Sequence, residues 1–186
     1  PCNRVKIAPD GEILVKGDNI ISGYWKMPEQ TAAAFTPDGW LMTGDIGHLD
    51  EEGFLVITDR KKDLIITAGG KNIAPQNIEG LFMQDPLFEN FVVIGDRRKY
   101  LTALVTLNLD EAARLARSAG LDVADPTDLP EREDFRAIVE RHVAERNQHL
   151  AKYETIKYFR IVPHAFSEQT GELTPSLKVK RKVVLE

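Results

Sequence analysis

Residues 39–47 read GWLMTGDIG and place a carboxylate, that of Asp45, directly after a glycine, with Thr43 two residues before it. A carboxylate in this setting can accept hydrogen bonds from two adjacent hydroxyl groups, and a ribose presents such a pair. The same residues also fit a simple Asx-type turn at a strand end, without any ligand. The motif alone therefore leaves both a nucleotide site and a plain turn open.

A second cluster, at residues 59–71, reads DRKKDLIITAGGK and ends in the pair Gly69 and Gly70 followed by a lysine. A Walker phosphate loop needs a glycine five residues before the Gly-Lys pair and Ser or Thr after it. Ile65 and Asn72 occupy these positions, so this loop type is excluded. Two consecutive glycines still permit either a tight turn or the close approach of a ligand to the backbone. The charged part, residues 59–63, fits a solvated loop or a flexible joint.

A third motif, LTPSLKVKRK at residues 173–182, concentrates four cations: Lys178, Lys180, Arg181 and Lys182. Such a run is typical of a solvated basic tail, and a patch for anionic lipid or nucleic acid is the alternative. The composition of residues 167–175 indicates an ordered turn before the run, which is compatible with one of these lysines being directed at a ligand.

The overall composition excludes several classes of protein. The chain has 186 residues, 42% of them hydrophobic and 28% charged, as is ordinary for a globular protein. Its net charge of −5 argues against nucleic acid as a partner. The single cysteine, Cys2, excludes an internal disulfide and a cysteine-based zinc site, and the histidines have no metal-ligand spacing, so no metal site is predicted. No apolar stretch reaches the roughly 18 residues of a membrane helix and no signal pattern opens the chain, so a cytoplasmic setting is expected.

The periodicity changes along the chain. Residues 1–58 are β-rich, with a strand at 12–16, a short helix at 29–35, a turn at 36–39 and a hairpin formed by 46–49 and 54–58. From residue 64 onward, strands at 64–67, 91–94, 101–107 and 158–162 alternate with helices at 75–84, 110–118 and 132–150. This pattern predicts an α+β (α/β-mixed) fold in which residues 1–58 precede a joint at 59–62 and a small domain at 63–186.

Taken in order, GWLMTGDIG, GFLVITDRKKDLIITAGGKNIAPQNIE and LTPSLKVKRK resemble the C-terminal third of the AMP-forming acyl-CoA synthetases, in the adenylate-forming (ANL) superfamily. The segment SGYWKMPEQTAAAFTPDGW, at residues 22–40, is similar to the approach to that family's TGD motif. The form of LTPSLKVKR resembles the long-chain fatty acid branch. One departure is Leu177, because most members of the family carry glycine before the catalytic lysine.

The resemblance implies a role for each motif. Asp45, with Arg60 and Thr43, would bind the nucleotide through its ribose hydroxyls. Lys178 would be the catalytic residue, reaching the fatty carboxylate and the α-phosphate. Gly69 and Gly70 would line the entry for the pantetheine arm of CoA.

The resemblance also implies a domain arrangement. Residues 1–58 would be the incomplete end of a large N-terminal domain, which opens here without Met, and residues 63–186 the small C-terminal lid domain. Residues 59–62 would be the hinge, with either Asp59 or Lys62 as its pivot. The phosphate loop and acyl pocket of the family belong to the large domain, so this segment alone is expected to be inactive.

The implied reaction uses ATP with Mg²⁺, a fatty acid and CoA, and the implied setting is cytoplasmic, where peripheral contact with a membrane would suit a long-chain substrate. Two alternatives remain open: another adenylate-forming enzyme that acts on aryl or medium-chain acids, and a non-catalytic α/β interaction module of the same fold.

Overall fold

The computed structural model describes residues 3–185 and mixes helices with strands, as predicted. The chain divides into two compact units between Leu64 and Ile65. Cys2, on which the disulfide and zinc arguments rest, lies outside the described residues.

The strands are β1 (Arg4–Ile7), β2 (Glu12–Lys16), β3 (Leu41–Leu49), β4 (Leu55–Arg60), β5 (Ile65–Ile66), β6 (Asn72–Ile73), β7 (Phe88–Ile94), β8 (Leu101–Leu107) and β9 (Ile156–Ile161). The α-helices are α1 (Pro28–Ala34), α2 (Pro75–Phe82), α3 (Leu109–Ser118), α4 (Glu133–Asn147) and α5 (Arg181–Val184). Single 3₁₀ segments span Lys61–Asp63 and Pro126–Glu131.

Within residues 3–64, four strands form an antiparallel sheet in the order β1-β2-β3-β4. The predicted hairpin between β3 and β4 is confirmed, and the Asp50 carboxylate closes its turn by accepting the Phe54 N–H at 2.8 Å. Strand β3 begins at Leu41 rather than Ile46, because residues 41–46 pair with β2. That partner lies too far back in the chain for a local pattern to show it.

The core of this first unit is thin. Among residues 3–64, the buried hydrophobic side chains are those of Ile13 and Leu14. Trp25, Phe54 and Ile57 are large apolar side chains that remain exposed. Since hydrophobic stabilisation scales with the apolar area removed from water, burial contributes little to the stability of residues 3–64 taken by themselves.

Within residues 65–185, a sheet in the order β7-β8-β9 pairs β7 with β8 antiparallel and β8 with β9 parallel. Its main core lies against α2, α3 and α4, and it contains a stack of Phe82 on Phe91 with ring centroids 3.9 Å apart. Val92 points to the opposite face of the sheet and belongs to a smaller apolar cluster with Phe166 and Leu173. The fold class predicted from the sequence is therefore observed in this unit as a helix-covered mixed sheet.

Helix α4 buries the face that its sequence predicts, through Phe135, Ile138, Val139 and Val143. It ends at Asn147 rather than Leu150, because the Asn147 side chain bonds both the N–H and the C=O of Ile156 and so ties the helix end to β9. None of the helices within residues 3–185 has the length and apolarity that a membrane crossing requires.

Candidate functional site

Asp45 and Arg60, which the sequence places in separate motifs, are neighbours in the sheet. They lie opposite each other in the register of β3 and β4, and Arg60 Nη1 is 3.1 Å from Asp45 Oδ1. The two side chains are 26% and 49% exposed respectively, so the pair is a solvated one that contributes little to stability. Both groups can therefore still reach a ligand, with the guanidinium fixing the direction of the carboxylate.

The backbone before Asp45 is held by two buried anchors. Gly44 has a φ of +72°, which favours glycine, and its N–H donates to Glu12 Oε1 at 2.9 Å. The Thr43 hydroxyl donates to the Ile13 carbonyl at 2.8 Å and accepts the Asp45 N–H at 3.1 Å. Thr43 thus shapes the irregular backbone before Asp45, at a point where the pairing of β3 with β2 shifts register. The motif lies within β3 and not in a turn at a strand end, so the plain-turn interpretation is wrong, and the nucleotide role of Asp45 stays a prediction.

Glu12 and Lys61 are site-supporting residues that sequence reasoning missed. The Glu12 carboxylate is buried and also receives Lys61 Nζ at 2.8 Å, and the same ammonium lies 2.7 Å from Asp10 Oδ2. Its hydrogen bond to Asp10 lowers the pKa of that carboxyl and raises the pKa of Lys61. The partners of Glu12 lie 32 and 49 residues away along the chain, so no local signal could have identified it.

The two predicted pivot residues occupy different environments. Asp59 lies within β4 opposite Ile46, is 2% exposed, and its Oδ1 accepts the Arg60 N–H at 2.6 Å. Lys62 lies in the exposed 3₁₀ turn Lys61–Asp63. The backbone at Asp59 is therefore committed to the sheet, whereas that at Lys62 is not part of a strand.

Gly69 and Gly70 form the tip of the hairpin between β5 and β6. Gly70 has a φ of +73° and donates its N–H to the Thr67 carbonyl at 2.9 Å, so the turn itself requires this glycine. Gly69 has no positive φ, and a Cβ placed on it would meet its nearest atom, Thr67 Oγ1, at 4.0 Å. The fold explains Gly70 but leaves Gly69 unexplained, and a surface without side chains is what a close-approaching ligand needs.

Lys178 lies at the base of an ordered turn whose tip is formed by Pro175 and Ser176. The Leu177 N–H donates to the Thr174 carbonyl at 2.8 Å, the Thr174 N–H donates to the Lys178 carbonyl at 2.8 Å, and the Lys178 N–H donates to Thr174 Oγ1 at 3.0 Å. The Lys178 side chain is exposed, and it makes no ion pair with any residue in the described range 3–185. The turn therefore presents an uncommitted ammonium group to solvent.

The loop that leads to this turn is fixed by Glu172. Its carboxylate accepts hydrogen bonds from the Thr170 hydroxyl, from His164 Nε2 at 2.9 Å and from the Ser167 N–H at 3.2 Å. The Thr170 hydroxyl, followed by His164, lowers the pKa of Glu172. The expected ordered turn before the basic run is thus present, and it is built around an acid that the sequence analysis did not single out.

Leu177 has a φ of +58°, in the left-handed region that a non-glycine residue enters at a cost of about 1–2 kcal/mol. Replacing Leu177 by glycine should raise the free energy of unfolding by about 0.5–1 kcal/mol, because relief of this strain exceeds the added entropy of the unfolded chain. Chemical denaturation would measure the change. Ser176→Gly, on the same turn but without a positive φ, should be neutral or destabilising, and an equal gain from both substitutions would contradict the strain at Leu177.

The family of the chain follows from its match to known proteins. The protein-family model described as the AMP-binding enzyme C-terminal domain matches residues 62–186. The chain belongs to this family of AMP-binding enzymes, and the predicted adenylate-forming class is confirmed.

Curated relatives are long-chain fatty acid ligases. The chain is 45% identical over 190 residues to the long-chain-fatty-acid–CoA ligase FadD15 of Mycobacterium tuberculosis, which covers 100% of this chain and 31% of that protein. It is 38% identical over 200 residues to the human long-chain-fatty-acid–CoA ligase ACSBG1, covering 95% of this chain and 27% of that protein. The chain thus spans less than a third of the length of these relatives.

Solved structures show the same fold. The adenylation domain of the carboxylic acid reductase from Segniliparus rugosus, in complex with AMP and a carboxylic acid, has a TM-score of 0.78 at 24% identity and covers 99% of this chain and 29% of that one. The o-succinylbenzoate CoA synthetase of Bacillus subtilis, in complex with its acyl-adenylate, has a TM-score of 0.67 at 28% identity and covers 99% and 34%. The mixed helix and sheet class is therefore that of the adenylate-forming enzymes.

Proposed function

We propose that this chain is the C-terminal part of an AMP-forming long-chain fatty acid–CoA ligase. The observation that carries the proposal is the exposed ammonium of Lys178, which an ordered turn presents without an ion-pair partner in residues 3–185. The likeness to FadD15 and ACSBG1 supports the substrate class. The reaction has two steps: the fatty carboxylate and MgATP give acyl-adenylate and pyrophosphate, and then CoA displaces AMP.

Lys178 serves the first step. A carboxylate oxygen of the fatty acid attacks the α-phosphorus of ATP, a new P–O bond forms, and the bond to pyrophosphate breaks. Two anions must approach each other, so a cation between them stabilises the transition state more than the separated reactants. An ammonium without an ion-pair partner in residues 65–185 is suited to that task, and the Mg²⁺ arrives as part of the ATP substrate.

Asp45 and Arg60 serve both steps by holding the nucleotide. The Asp45 carboxylate accepts hydrogen bonds from the two ribose hydroxyls, which are present in ATP, in the acyl-adenylate and in AMP. Arg60, 3.1 Å from that carboxylate, orients it and contacts the ribose. Thr43 contributes by fixing the backbone of β3 through its bonds to Ile13 and Asp45.

Gly69 serves the second step. The CoA thiolate attacks the acyl carbonyl carbon of the adenylate, a C–S bond forms, the C–O bond to phosphate breaks, and AMP leaves with the electron pair. The thiol sits at the end of a long pantetheine arm, so its path must be narrow and open. The bare backbone at Gly69, with space around it, would line that path, while Gly70 maintains the turn.

Replacing Gly69 by valine should slow thioester formation from supplied acyl-adenylate on the order of 10- to 100-fold and leave adenylation near its wild-type rate, because the added side chain would project into the thiol path. Thermal unfolding should be unchanged, since no atom lies within 4 Å to be displaced except Thr67 Oγ1 at 4.0 Å. Gly80→Val, on another glycine with open space in residues 65–185, is the matched control and should affect neither step. Normal thioester formation in Gly69→Val would remove Gly69 from the proposed path.

Lys62 is the better candidate for the pivot of the proposed hinge. A change in the backbone angles of Asp59 would break its pairing with Ile46 and move a buried carboxylate, whereas Lys62 lies in one exposed turn. Hinges absorb rotation at loop or element-terminal positions of the latter kind. We therefore propose that residues 65–185 rotate about Lys62 between the two steps, so that the Lys178 turn serves the first step and the Gly69 loop serves the second.

The function is tested by measuring AMP release from the complete ligase with ATP, CoA and a series of carboxylic acids. We expect release that requires both CoA and a long-chain fatty acid. Release with aryl or medium-chain acids instead would assign the chain to another adenylate-forming enzyme. The absence of release with every acid would favour a non-catalytic module of the same fold.

A further inference from the structure

Arg181, three residues after Lys178, does not behave as part of a solvated tail. Its side chain is 23% exposed, Nη1 donates to the Val93 carbonyl at 2.9 Å, and Nη2 donates to the Glu79 carboxylate. Glu79 is 17% exposed, and its Oε1 also accepts the Val93 N–H at 2.7 Å. The three groups form a closed ring, called here the Arg181 clamp, that joins α5, α2 and β7.

The clamp provides hydrogen-bond partners for backbone groups of β7 that do not pair with β8. Strand β7 is at the edge of the β7-β8-β9 sheet, so every second residue turns its N–H and C=O away from β8. Val93 is such a residue, and it is buried. Since buried backbone groups require hydrogen-bond partners, Glu79 and Arg181 supply one for each of its two groups.

Arginine is specifically suited to this position. Its planar guanidinium offers several N–H groups in a fixed fork, so one side chain can reach a carbonyl and a carboxylate at once. A lysine ammonium is a point charge on a flexible stem. It would hold the two hydrogen bonds, to the carbonyl and to the carboxylate, in a less fixed geometry. The clamp therefore fixes the orientation of the chain at Arg181, not only its proximity to the sheet.

Contacts made by the residues next to Arg181 also fix the segment that follows the Lys178 turn. Val179 and Val184, on either side of Arg181, pack on the small cluster that contains Val92. The Lys180 N–H donates to the Glu172 carbonyl at 2.7 Å. The segment that follows Lys178 is thus fixed to the sheet within three residues of its ammonium-bearing side chain.

We propose that Arg181, acting through Glu79 and Val93, is a positioning residue that holds the Lys178 turn in place for adenylation. This rests on the function proposed above. A catalytic group must be held close to its productive geometry, and a misplacement of about 1 Å can lower the rate on the order of 100-fold. The clamp provides that restraint on one side of the turn, and Glu172 provides it on the other.

The test compares Arg181→Met with Lys182→Met in the complete ligase. Methionine keeps the apolar stem of either side chain and removes one positive charge, while Lys182 is exposed and lies outside the clamp. We expect Arg181→Met to lower fatty acid-dependent pyrophosphate release without CoA on the order of 10- to 100-fold. Its thioester formation from supplied acyl-adenylate should stay within about twofold of wild type, and Lys182→Met should match wild type in both steps.

A second variant examines the ring itself. Glu79→Gln keeps an oxygen that can accept the Val93 N–H but removes the charge that Arg181 faces, so it should lower adenylation less than Arg181→Met. The double variant Glu79→Gln/Arg181→Met should be no slower in adenylation than Arg181→Met alone, because both residues act through one unit. Independent, additive losses would contradict the ring.

Hydrogen exchange separates failure of the clamp from failure of the proposed function. Arg181→Met should accelerate exchange of the Leu177 and Lys178 amide protons, whether or not the protein forms acyl-adenylate. Unchanged exchange together with unchanged adenylation would overturn the clamp. Equal loss of both half-reactions with a lower unfolding temperature would reduce Arg181 to a general stabilising residue, and faster exchange in a protein that adenylates no acid would overturn its catalytic role and the proposed function together.

Discussion

Replacing Lys178 by alanine should lower acyl-adenylate formation in the complete ligase about 10²- to 10³-fold while sparing the transfer of a supplied acyl-adenylate to CoA. In the proposed function the ammonium stabilises the approach of the fatty carboxylate to the α-phosphate, whereas in the second step the CoA thiolate attacks a neutral carbonyl carbon. Removal of one preorganised electrostatic group from an active site typically lowers kcat about 10²- to 10³-fold, or roughly 3–4 kcal/mol of transition-state stabilisation. Pyrophosphate release without CoA, and acyl-CoA formation from synthetic adenylate, measure the two steps separately.

Lys180→Ala is the matched control for that result. Lys180 is an exposed lysine two residues further along the same segment, and the hydrogen bond that it makes to Glu172 uses its backbone N–H, which alanine retains. It should leave both half-reactions unchanged. Equal loss of the two half-reactions in Lys178→Ala, or equal effects of the two substitutions, would remove Lys178 from its assigned role.

Replacing Asp45 by alanine should weaken ATP binding and slow both half-reactions, in contrast to the one-sided effect at Lys178. In the proposed function Asp45 binds the ribose throughout the reaction, so its hydrogen bonds would support every state. Hydrogen bonds to a charged group contribute about 1.5–3 kcal/mol each, and the loss of even one should lower nucleotide affinity at least about 10-fold. Calorimetric titration of the complete ligase with a non-hydrolysable ATP analogue measures the loss.

The control for Asp45→Ala is Asp38→Ala. Asp38 also forms an exposed ion pair within residues 3–64, to Lys6 at 3.1 Å, but it belongs to the turn that the family resemblance leaves without a ligand role. It should bind nucleotide as the wild-type protein does. If nucleotide affinity falls equally in the two variants, the cause is a general destabilisation of residues 3–64 and not the loss of a ribose contact.

Elements with strong local signals were predictable from the sequence. Strand β2 has the predicted bounds, the turn at residues 50–53 forms the predicted hairpin, and α4 buries its predicted apolar face. In each of these elements, the hydrophobic periodicity and the turn-forming residues within a short stretch of sequence determine the structure. The bounds of β3 and the end of α4 were not predictable, because pairing with β2 and bonding to Ile156 decide them.

The supporting residues of the candidate site were invisible for the same reason. Lys61 looks like one cation among several in a charged run, and Arg181 looks like one of four in a basic tail. Their partners Glu12 and Glu79 lie 49 and 102 residues away, so only the folded chain shows that these two cations form ion pairs. Leu177 was recognisable as a departure from the family pattern, but its φ of +58° supplies the physical reason why glycine is preferred there.

The most direct test of two working surfaces on residues 65–185 is a side-by-side measurement of both half-reaction rates in Lys178→Ala and Gly69→Val. We predict opposite results: Lys178→Ala loses adenylation and retains thioester formation, and Gly69→Val retains adenylation and loses thioester formation. If instead each variant loses both steps in equal proportion, or both variants lose the same step, the division of the reaction between the Lys178 turn and the Gly69 loop is wrong.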